Sequence, residues 1–141
     1  MTQPSYLEAY IKILEEELLP AMGCTEPIAI ALAAAHAQKL LACAPEACTL
    51  EVSGNIIKNV KSVTVPNTGG LKGLEAAVAA GVVSAAPELQ LEVLRKLTGE
   101  DISAMQALLS RDIIRVVPAA NGKIFYIKVT LSSGQIGRAH V

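Results

Sequence analysis

The sequence predicts an α+β fold, in which helices rich in small residues pack with a small, mostly antiparallel sheet. Hydrophobic residues make up 52% of the 141 residues and aromatic residues only 3%, so the core is expected to consist of small aliphatic side chains. Strand-like segments fall into two groups, near residues 49–65 and 113–141, and do not alternate regularly with helices. This grouping favours α+β over a parallel α/β sheet. The length predicts one domain, residues 1–141.

Two helices are predicted in the first third of the chain. Large apolar residues recur at helical spacing from Tyr6 to Leu18, and Pro20 ends this pattern. A second helix runs from Pro27 to about Ala42, since proline suits the first turn of a helix. Because this second helix is apolar on nearly every face, we expect the rest of the protein to enclose it.

The remainder of the chain mixes strand and helix patterns. The segments CTLEVSGNIIKN and SVTVP are rich in β-branched residues and predict strands. A loop, residues 66–70, leads into the helix LKGLEAAVAAGVVSAA, which we expect to pack closely on the helix that begins at Pro27. Pro87 opens a short helix, Asp101 caps the helix ISAMQALLSRD, and IIRVVPA and FYIKVTL predict the last strands. The strand pattern continues to Val141 without a closing element, which predicts the N-terminal part of a longer protein.

Charge and hydropathy argue against several classes of partner. The net charge is −1, from 12 basic and 13 acidic residues, and no block of like charge favours nucleic acid or an anionic membrane surface. The longest apolar run, residues 27–35, is far shorter than the ~20 residues of a membrane span, and the N-terminus lacks signal-peptide features. We therefore expect a cytoplasmic protein with no nucleic-acid and no membrane partner.

Two loops share one design, in which polar residues and glycine run directly into an apolar helix. The first loop is residues 23–26, ahead of Pro27, and the second is residues 66–70, ahead of Leu71. Free backbone N–H groups and the helix dipole make such places anion sites, and paired glycines let a ligand approach the backbone. If the two loops face each other, they form a pocket for a small carboxylate or amino acid.

Cys24 is the sharpest candidate for chemistry. A thiol at a helix N-terminus has its thiolate favoured, and a thiolate serves as a base, a nucleophile or a metal ligand. The alternative is an ordinary helix start, with Thr25 as the cap and Glu26 complementing the helix dipole. Glu26 also opposes thiolate formation if it lies close to Cys24. Spacing alone slightly favours the ordinary helix start.

A second polar cluster lies in the segment SGNIIKN. On an extended segment, Asn55 and Asn59 share one face while Lys58 points to the opposite face. These groups either form a solvated strand edge with turn-forming asparagines or hold the carboxylate or amino group of a ligand. The residues alone favour the strand edge.

The other cysteines and His36 give weaker signals. Cys43 and Cys48 are five residues apart without nearby partners, so idle or buried thiols are favoured over a metal site. His36 is expected to be a core or helix-end residue, because no second ligand lies three or four residues away.

Three segments together resemble the L-cysteine desulfidase family. The segments are GCTEPIAIALAAA, SGNIIKNVKSVTVPNTGG and LKGLEAAVAAG, in this order and spacing. Members of that family are similar to the α chain of the bacterial iron–sulfur L-serine dehydratases. The match runs from about Tyr10 to Val83, and the combination of GCTEP, KN and VPNT is far more specific than any one of them.

The resemblance implies a lyase that needs a [4Fe–4S] cluster and no pyridoxal phosphate. Such an enzyme converts L-cysteine to pyruvate, ammonia and sulfide, or dehydrates L-serine. The motif positions imply catalytic roles for Cys24 and Glu26. They imply substrate binding for a set of neighbouring polar and glycine positions, namely Thr25, Asn55, Lys58, Asn59, Asn67, Thr68 and Gly69.

The same resemblance implies that these residues form only one wall of an active site. The family's cluster cysteines belong to a C-terminal part that this chain lacks, so we expect no cluster, no metal ligand and no activity from these 141 residues alone. The expected partners are a small amino-acid substrate, the missing C-terminal part of the same protein, and further copies of the chain in a homo-oligomer.

Two other functions stay open at the level of sequence. A non-catalytic module would use the same two helix starts to bind an amino acid or to assemble with a partner. A plain helical packing unit would use its polar loops only as caps. The residues do not decide between cysteine and serine as substrate, or whether Cys24 acts as a base or contacts the cluster.

Overall fold

The computed structural model describes residues 6–11, 25–120 and 122–133. Along the chain the elements are β1 (Tyr6–Ile11), α1 (Thr25–Leu41), β2 (Ala47–Val52), α2 (Gly54–Val60), α3 (Leu74–Ser84), a 3₁₀ helix (Pro87–Glu92), α4 (Gly99–Ser110), β3 (Ile114–Pro118) and β4 (Ile127–Ser132). Helices and strands are therefore both present in quantity, as the sequence predicts.

The strands of the described residues form one four-stranded sheet in the order β1-β4-β2-β3. The pairs β1–β4 and β4–β2 are antiparallel, while β2 and β3 are parallel. Alternate residues of the two central strands are buried on one face, for example Leu50 on β2 and Val129 on β4. The predicted α+β fold with a mostly antiparallel sheet is confirmed, and a two-residue periodicity sets which face of the sheet meets the core.

Helix α1 lies in the centre of the molecule. It contacts β1 and β4 of the sheet and also α3 and the 3₁₀ helix. Nearly all its apolar side chains are fully buried, including Ile28 and Ile30, so the prediction of an enclosed helix is confirmed. Among the described residues, no helix combines the length and the apolarity that a membrane crossing requires.

Helices α1 and α3 pack with their backbones in close contact, as predicted for helices built from alanine and glycine. A Cβ added to Gly81 on α3 would overlap the carbonyl oxygen of Ala31 and lie 2.8 Å from Cβ of Ala34. The two helices run in the same direction, because Lys39 in the last turn of α1 forms an ion pair of 3.4 Å with Glu88, just beyond the end of α3. Both helix starts therefore lie at one end of the pair.

The helix predicted from Tyr6 to Leu18 is wrong over residues 6–11, which form strand β1 paired with β4. A spacing of four residues, as between Tyr6 and Tyr10, puts side chains on one face of a strand as well as of a helix. The antiparallel partner decides between the two, and the local sequence does not contain it. The rest of this predicted helix lies outside the described residues.

The strand predicted across SGNIIKN is also wrong, because residues 54–60 form helix α2. The carbonyl of Ser53 accepts hydrogen bonds from the N–H groups of Ile56 and Ile57, which starts the helix. Ile56 and Val60, four residues apart, are buried on its inner face. The β-branched content suggested a strand, but the apolar spacing is that of a helix.

The predicted cap of α4 is displaced by three residues. Thr98 is the N-cap, and its side chain accepts a hydrogen bond from the N–H of Asp101 at 3.2 Å. Asp101 accepts in return from the N–H of Thr98 at 2.9 Å. The two residues form a capping box, in which the carboxylate acts from the third helical position and not from the cap.

Cys48 on β2 provides a prediction for stability against pH. The side chain is buried, and desolvation raises the pKa of its thiol from 9.0 to about 12. Above pH 9 the unfolded chain loses this proton while the folded protein keeps it, so stability is expected to fall as pH rises towards 12. The loss is up to ~1.4 kcal/mol per pH unit.

The matched comparison for this prediction is Cys48→Ala, which lacks the thiol and keeps every other titrating group. Unfolding free energies of both proteins are measured by denaturant titration from below pH 9 upwards. The difference between them should shrink steadily above that pH. Parallel curves would show that the folded state does not shield this thiol.

Candidate functional site

One hydrogen bond within the described structure joins two of the predicted site residues. Asn59 Nδ2, in the last turn of α2, donates to Oε2 of Glu26 at 3.2 Å. Glu26 lies in the first turn of α1 and is half-buried, while Asn59 is exposed. The contact joins residues 33 positions apart and fixes the start of α1 against the end of α2.

The helical form of α2 gathers further polar groups beside this contact. Asn55, Lys58 and Asn59 are exposed and stand at positions i, i+3 and i+4, which share one face of a helix. The prediction that Lys58 points away from the two asparagines is therefore wrong, because it assumed a strand. Together with Glu26 these residues make up what we call the polar surface: one carboxylate, one ammonium group and two amides.

Ser53 positions α2 on the sheet, a role that sequence reasoning missed. The side chain is 2% exposed, and its Oγ donates to the carbonyl of Ile124 at 2.9 Å. The same oxygen accepts from the N–H of Tyr126 at 3.3 Å, and the N–H of Ser53 donates to the carbonyl of Tyr126 at 3.1 Å. These hydrogen bonds hold the start of α2 against the segment ahead of β4. Because three residues of the polar surface belong to α2, the bonds also position the polar surface.

Ser53→Ala is expected to lower the free energy of unfolding by about 1–3 kcal/mol, because the buried hydroxyl makes two part-buried hydrogen bonds, with the carbonyl of Ile124 and the N–H of Tyr126, and both are lost. The matched control is Ser110→Ala, which removes an exposed hydroxyl that donates to the carbonyl of Ala107. Denaturant unfolding of the two variants is the measurement, and the control should change little. Equal effects would mean that Ser53 contributes no more than a surface hydroxyl.

The polar side chains of loop 66–70 are engaged within the fold. Asn67 Nδ2 donates to the carbonyls of Leu94 and Arg95, at 2.8 and 3.3 Å. Thr68 is buried, and its Oγ1 donates to the carbonyl of Val65 at 2.7 Å and accepts from the N–H of Leu71 at 3.2 Å. The bonds of Asn67 hold the loop against the segment that precedes α4, and those of Thr68 hold the loop's own shape.

Gly69 has a structural use of its own. Its φ is +74°, in the left-handed region that favours glycine, and an added Cβ would lie 3.5 Å from Cδ1 of Ile102 on α4. The loop therefore turns towards α4. Substrate binding by Asn67, Thr68 and Gly69 stays a prediction, and their hydrogen bonds in the described structure are with the fold.

The two helix starts nevertheless lie at one end of the molecule. Gly73 immediately precedes α3, and an added Cβ there would lie 3.3 Å from the carbonyl oxygen of Lys61, directly after α2. Asn59, two residues earlier, contacts the start of α1. The end of α2 thus lies between the start of α1 and the start of α3. The residue that leads directly into α3 is Gly73, and loop 66–70 ends three residues earlier.

The cysteines, Thr25 and His36 are the remaining residues that the sequence analysis singled out. Cys24 lies outside the described residues, and Thr25 is the first residue of α1. His36 is exposed and lies five residues before the last residue of α1, so of its two expected placements, core or helix end, the core is wrong. Cys43 is exposed and Cys48 is buried.

A metal centre does not fit the residues that the structure describes. Among them, no three His, Cys, Asp or Glu side chains are grouped so that they could hold a metal ion. Cys48 is buried in the core, where desolvation raises the pKa of its thiol and disfavours the thiolate that a metal ion needs. The described residues therefore do not group the ligands that an iron–sulfur cluster would need.

Comparison with curated proteins gives relatives that are much longer than this chain. UPF0597 protein DSY1109 of Desulfitobacterium hafniense is 49% identical over 129 residues, which are 92% of this chain and 30% of that protein. A UPF0597 protein of Finegoldia magna is 54% identical over 110 residues, 78% of this chain and 26% of that protein. A UPF0597 protein of Treponema denticola is 43% identical over 123 residues, which are 87% of this chain and 28% of that protein. The chain spans about 30% of the length of the curated relatives it matches.

These comparisons overturn the resemblance drawn from the motifs. The relatives are named UPF0597 proteins, and none of these is named an L-cysteine desulfidase, so the expected membership of that family is wrong. No family model matches the chain. No solved structure matches it either.

Proposed function

We propose that this chain forms the substrate-binding side of a lyase that acts on a small amino acid, cysteine or serine, without pyridoxal phosphate. The observation that supports this function is the hydrogen bond between Asn59 and Glu26, which sets a carboxylate beside the exposed face of α2. A base, a cation and two amides on one surface are the groups that an α-amino acid needs for binding and deprotonation. The active protein is longer than this chain and cytoplasmic.

Each group of the polar surface has a part in this reaction. The Lys58 ammonium group binds the substrate carboxylate, and the Asn55 amide accepts a hydrogen bond from the substrate amino group. Glu26 removes the proton on Cα, the electron pair forms the Cα–Cβ double bond, and the β-substituent leaves as hydrosulfide or hydroxide. The aminoacrylate product takes up a proton to become an imine, which water hydrolyses to pyruvate and ammonia.

Asn59 orients the base. Because its Nδ2 donates to Oε2 of Glu26, the other carboxylate oxygen is directed to the substrate. Cys24, two positions before Glu26, is the second catalytic candidate. A [4Fe–4S] cluster and its ligands belong, in this proposal, to the C-terminal part of the longer protein, and further copies of the chain complete a homo-oligomer.

The test uses the longer protein, purified and reconstituted with iron and sulfide without oxygen. Pyruvate release from L-cysteine and from L-serine is followed by coupling to lactate dehydrogenase. We expect pyruvate from at least one substrate, and no inhibition by hydroxylamine, which inactivates pyridoxal phosphate enzymes. Absence of pyruvate from both substrates would contradict the proposal.

A non-catalytic amino-acid-binding or assembly module is the second candidate. The observation that favours it is that the side chains of Asn67 and Thr68 hydrogen-bond within the fold, as expected of residues that hold a loop in shape. Calorimetric titration with L-serine separates the two functions. Binding to the longer protein without pyruvate release supports the module, and turnover supports the lyase.

A further inference from the structure

A cleft lies between the end of α3, the 3₁₀ helix and the start of α4. Its volume is about 240 Å³. Its walls are mainly aliphatic, and two side chains of opposite charge also line it; the residues used below are Val83, Leu89, Val93, Leu97, Lys96 and Asp101. We call it the aliphatic cleft.

This cleft is separate from the polar surface. Leu89 follows Glu88, which pairs with Lys39 in the last turn of α1, whereas Glu26 lies in the first turn. Thirteen residues of helix separate Glu26 from Lys39, which is roughly 20 Å along the axis. A ligand in the cleft therefore does not touch the groups proposed for catalysis.

We propose that the aliphatic cleft binds a free α-amino acid with an aliphatic side chain. The volume lies below the ~300–1,000 Å³ of most small-molecule pockets, so it suits a ligand no larger than a single amino acid. The side chain of the ligand packs against Val83, Leu89 and Leu97. No aromatic residue is among the side chains that line the cleft, so a flat ring finds no stacking partner there.

The two charges give the cleft its preference for a zwitterion. Asp101 accepts the ammonium group of the ligand, and Lys96 binds its carboxylate. Oδ2 of Asp101 already accepts from the N–H of Thr98 at 2.9 Å, which holds the carboxylate in one orientation.

A hydrogen bond within the fold holds the aliphatic wall of the cleft in place. Ser84 Oγ, at the end of α3, donates to the carbonyl of Val93 at 2.8 Å. Val93 is buried, so this bond links the two sides of the cleft across the 3₁₀ helix. This bond and the buried side chain of Val93 give the aliphatic wall a defined position in the fold.

The first test titrates the purified chain with L-leucine by isothermal calorimetry. Three probes separate the features of the ligand: 4-methylpentanoate lacks the ammonium group, 3-methylbutylamine lacks the carboxylate, and glycine lacks the side chain. Each should bind at least about tenfold more weakly than L-leucine, because each loses a charge-assisted bond or the apolar contact. The proposal would be overturned if L-leucine gave no heat of binding, or if L-leucine and the three probes bound with equal affinity.

The second test uses paired variants of neighbouring residues on α4. Asp101→Asn keeps an oxygen for the N–H of Thr98 and removes the charge, so L-leucine should bind about tenfold more weakly while α4 stays capped. Glu100→Gln makes the same change one residue away, outside the residues that line the cleft, and should bind like the unchanged chain. Equal loss in both variants would refute a specific role for the cleft.

Discussion

Gly81→Ala is expected to lower the free energy of unfolding by about 3 kcal/mol or more. In an exposed helix interior the same change usually stabilises by roughly 1 kcal/mol, so both the sign and the size are informative. The new methyl group would overlap the carbonyl of Ala31 and meet Cβ of Ala34 at 2.8 Å. Neither atom can rotate away, because one is backbone and the other is attached directly to it.

Denaturant unfolding followed by circular dichroism measures this effect, and Gly99→Ala is the matched control. Gly99 is the first residue of α4, and an added Cβ there meets nothing within 4 Å. The control should unfold at nearly the same denaturant concentration as the unchanged protein. If Gly81→Ala does not fold at all, the loss of stability is larger than about 3 kcal/mol in the expected direction. Similar denaturant midpoints for both variants would contradict the close α1–α3 contact.

This close contact shows which part of the fold the sequence can predict. The run of alanines in α1 is apolar on all sides, and an apolar helix has only one stable location, the interior. The small residues of α3 indicate a close neighbour for the same reason. The alternation in β4, with Ile127, Val129 and Leu131 facing the core, likewise needs no partner to be recognised.

The errors share a physical origin. Tyr6 and Tyr10 are compatible with a helix and with a strand, and the antiparallel partner β4, more than 100 positions away, decides for the strand. In α2 the β-branched residues favour a strand, whereas the burial of Ile56 and Val60 together selects a helix. Local propensity was outweighed in both segments by contacts that form only in the folded chain.

The candidate site was predictable in its residue types and not in its arrangement. Glu26 and Asn59 were both identified, but the bond between them joins two helices that no local pattern brings together. Asn67 and Thr68 have the chemistry of ligand-binding residues, and no local pattern foretells that their side chains hydrogen-bond within the fold. Ser53 stayed hidden because its partners are more than 70 positions along the chain.

Glu26→Gln, introduced into the longer protein, is expected to reduce kcat for pyruvate release by roughly 10²–10⁴-fold, the usual contribution of a general base. Glutamine keeps an oxygen that can accept from Asn59, so the start of α1 should remain in place and KM should change little. The matched control is Glu46→Gln, which makes the same change at an exposed carboxylate ahead of β2. A fall in kcat of the same size in the control, or no fall in Glu26→Gln, would exclude Glu26 as the base.

Asn59→Leu tests whether the bond between the two residues matters to the reaction. Loss of one orienting hydrogen bond should lower kcat by about 3–10-fold, because Glu26 keeps its charge and loses only its fixed direction. In the double variant Glu26→Gln/Asn59→Leu, kcat should equal that of Glu26→Gln alone, since a residue that acts through the base has no effect once the base is gone. Independent, multiplying losses would instead mean that Asn59 contacts the substrate directly, and the orienting role proposed for it would be wrong.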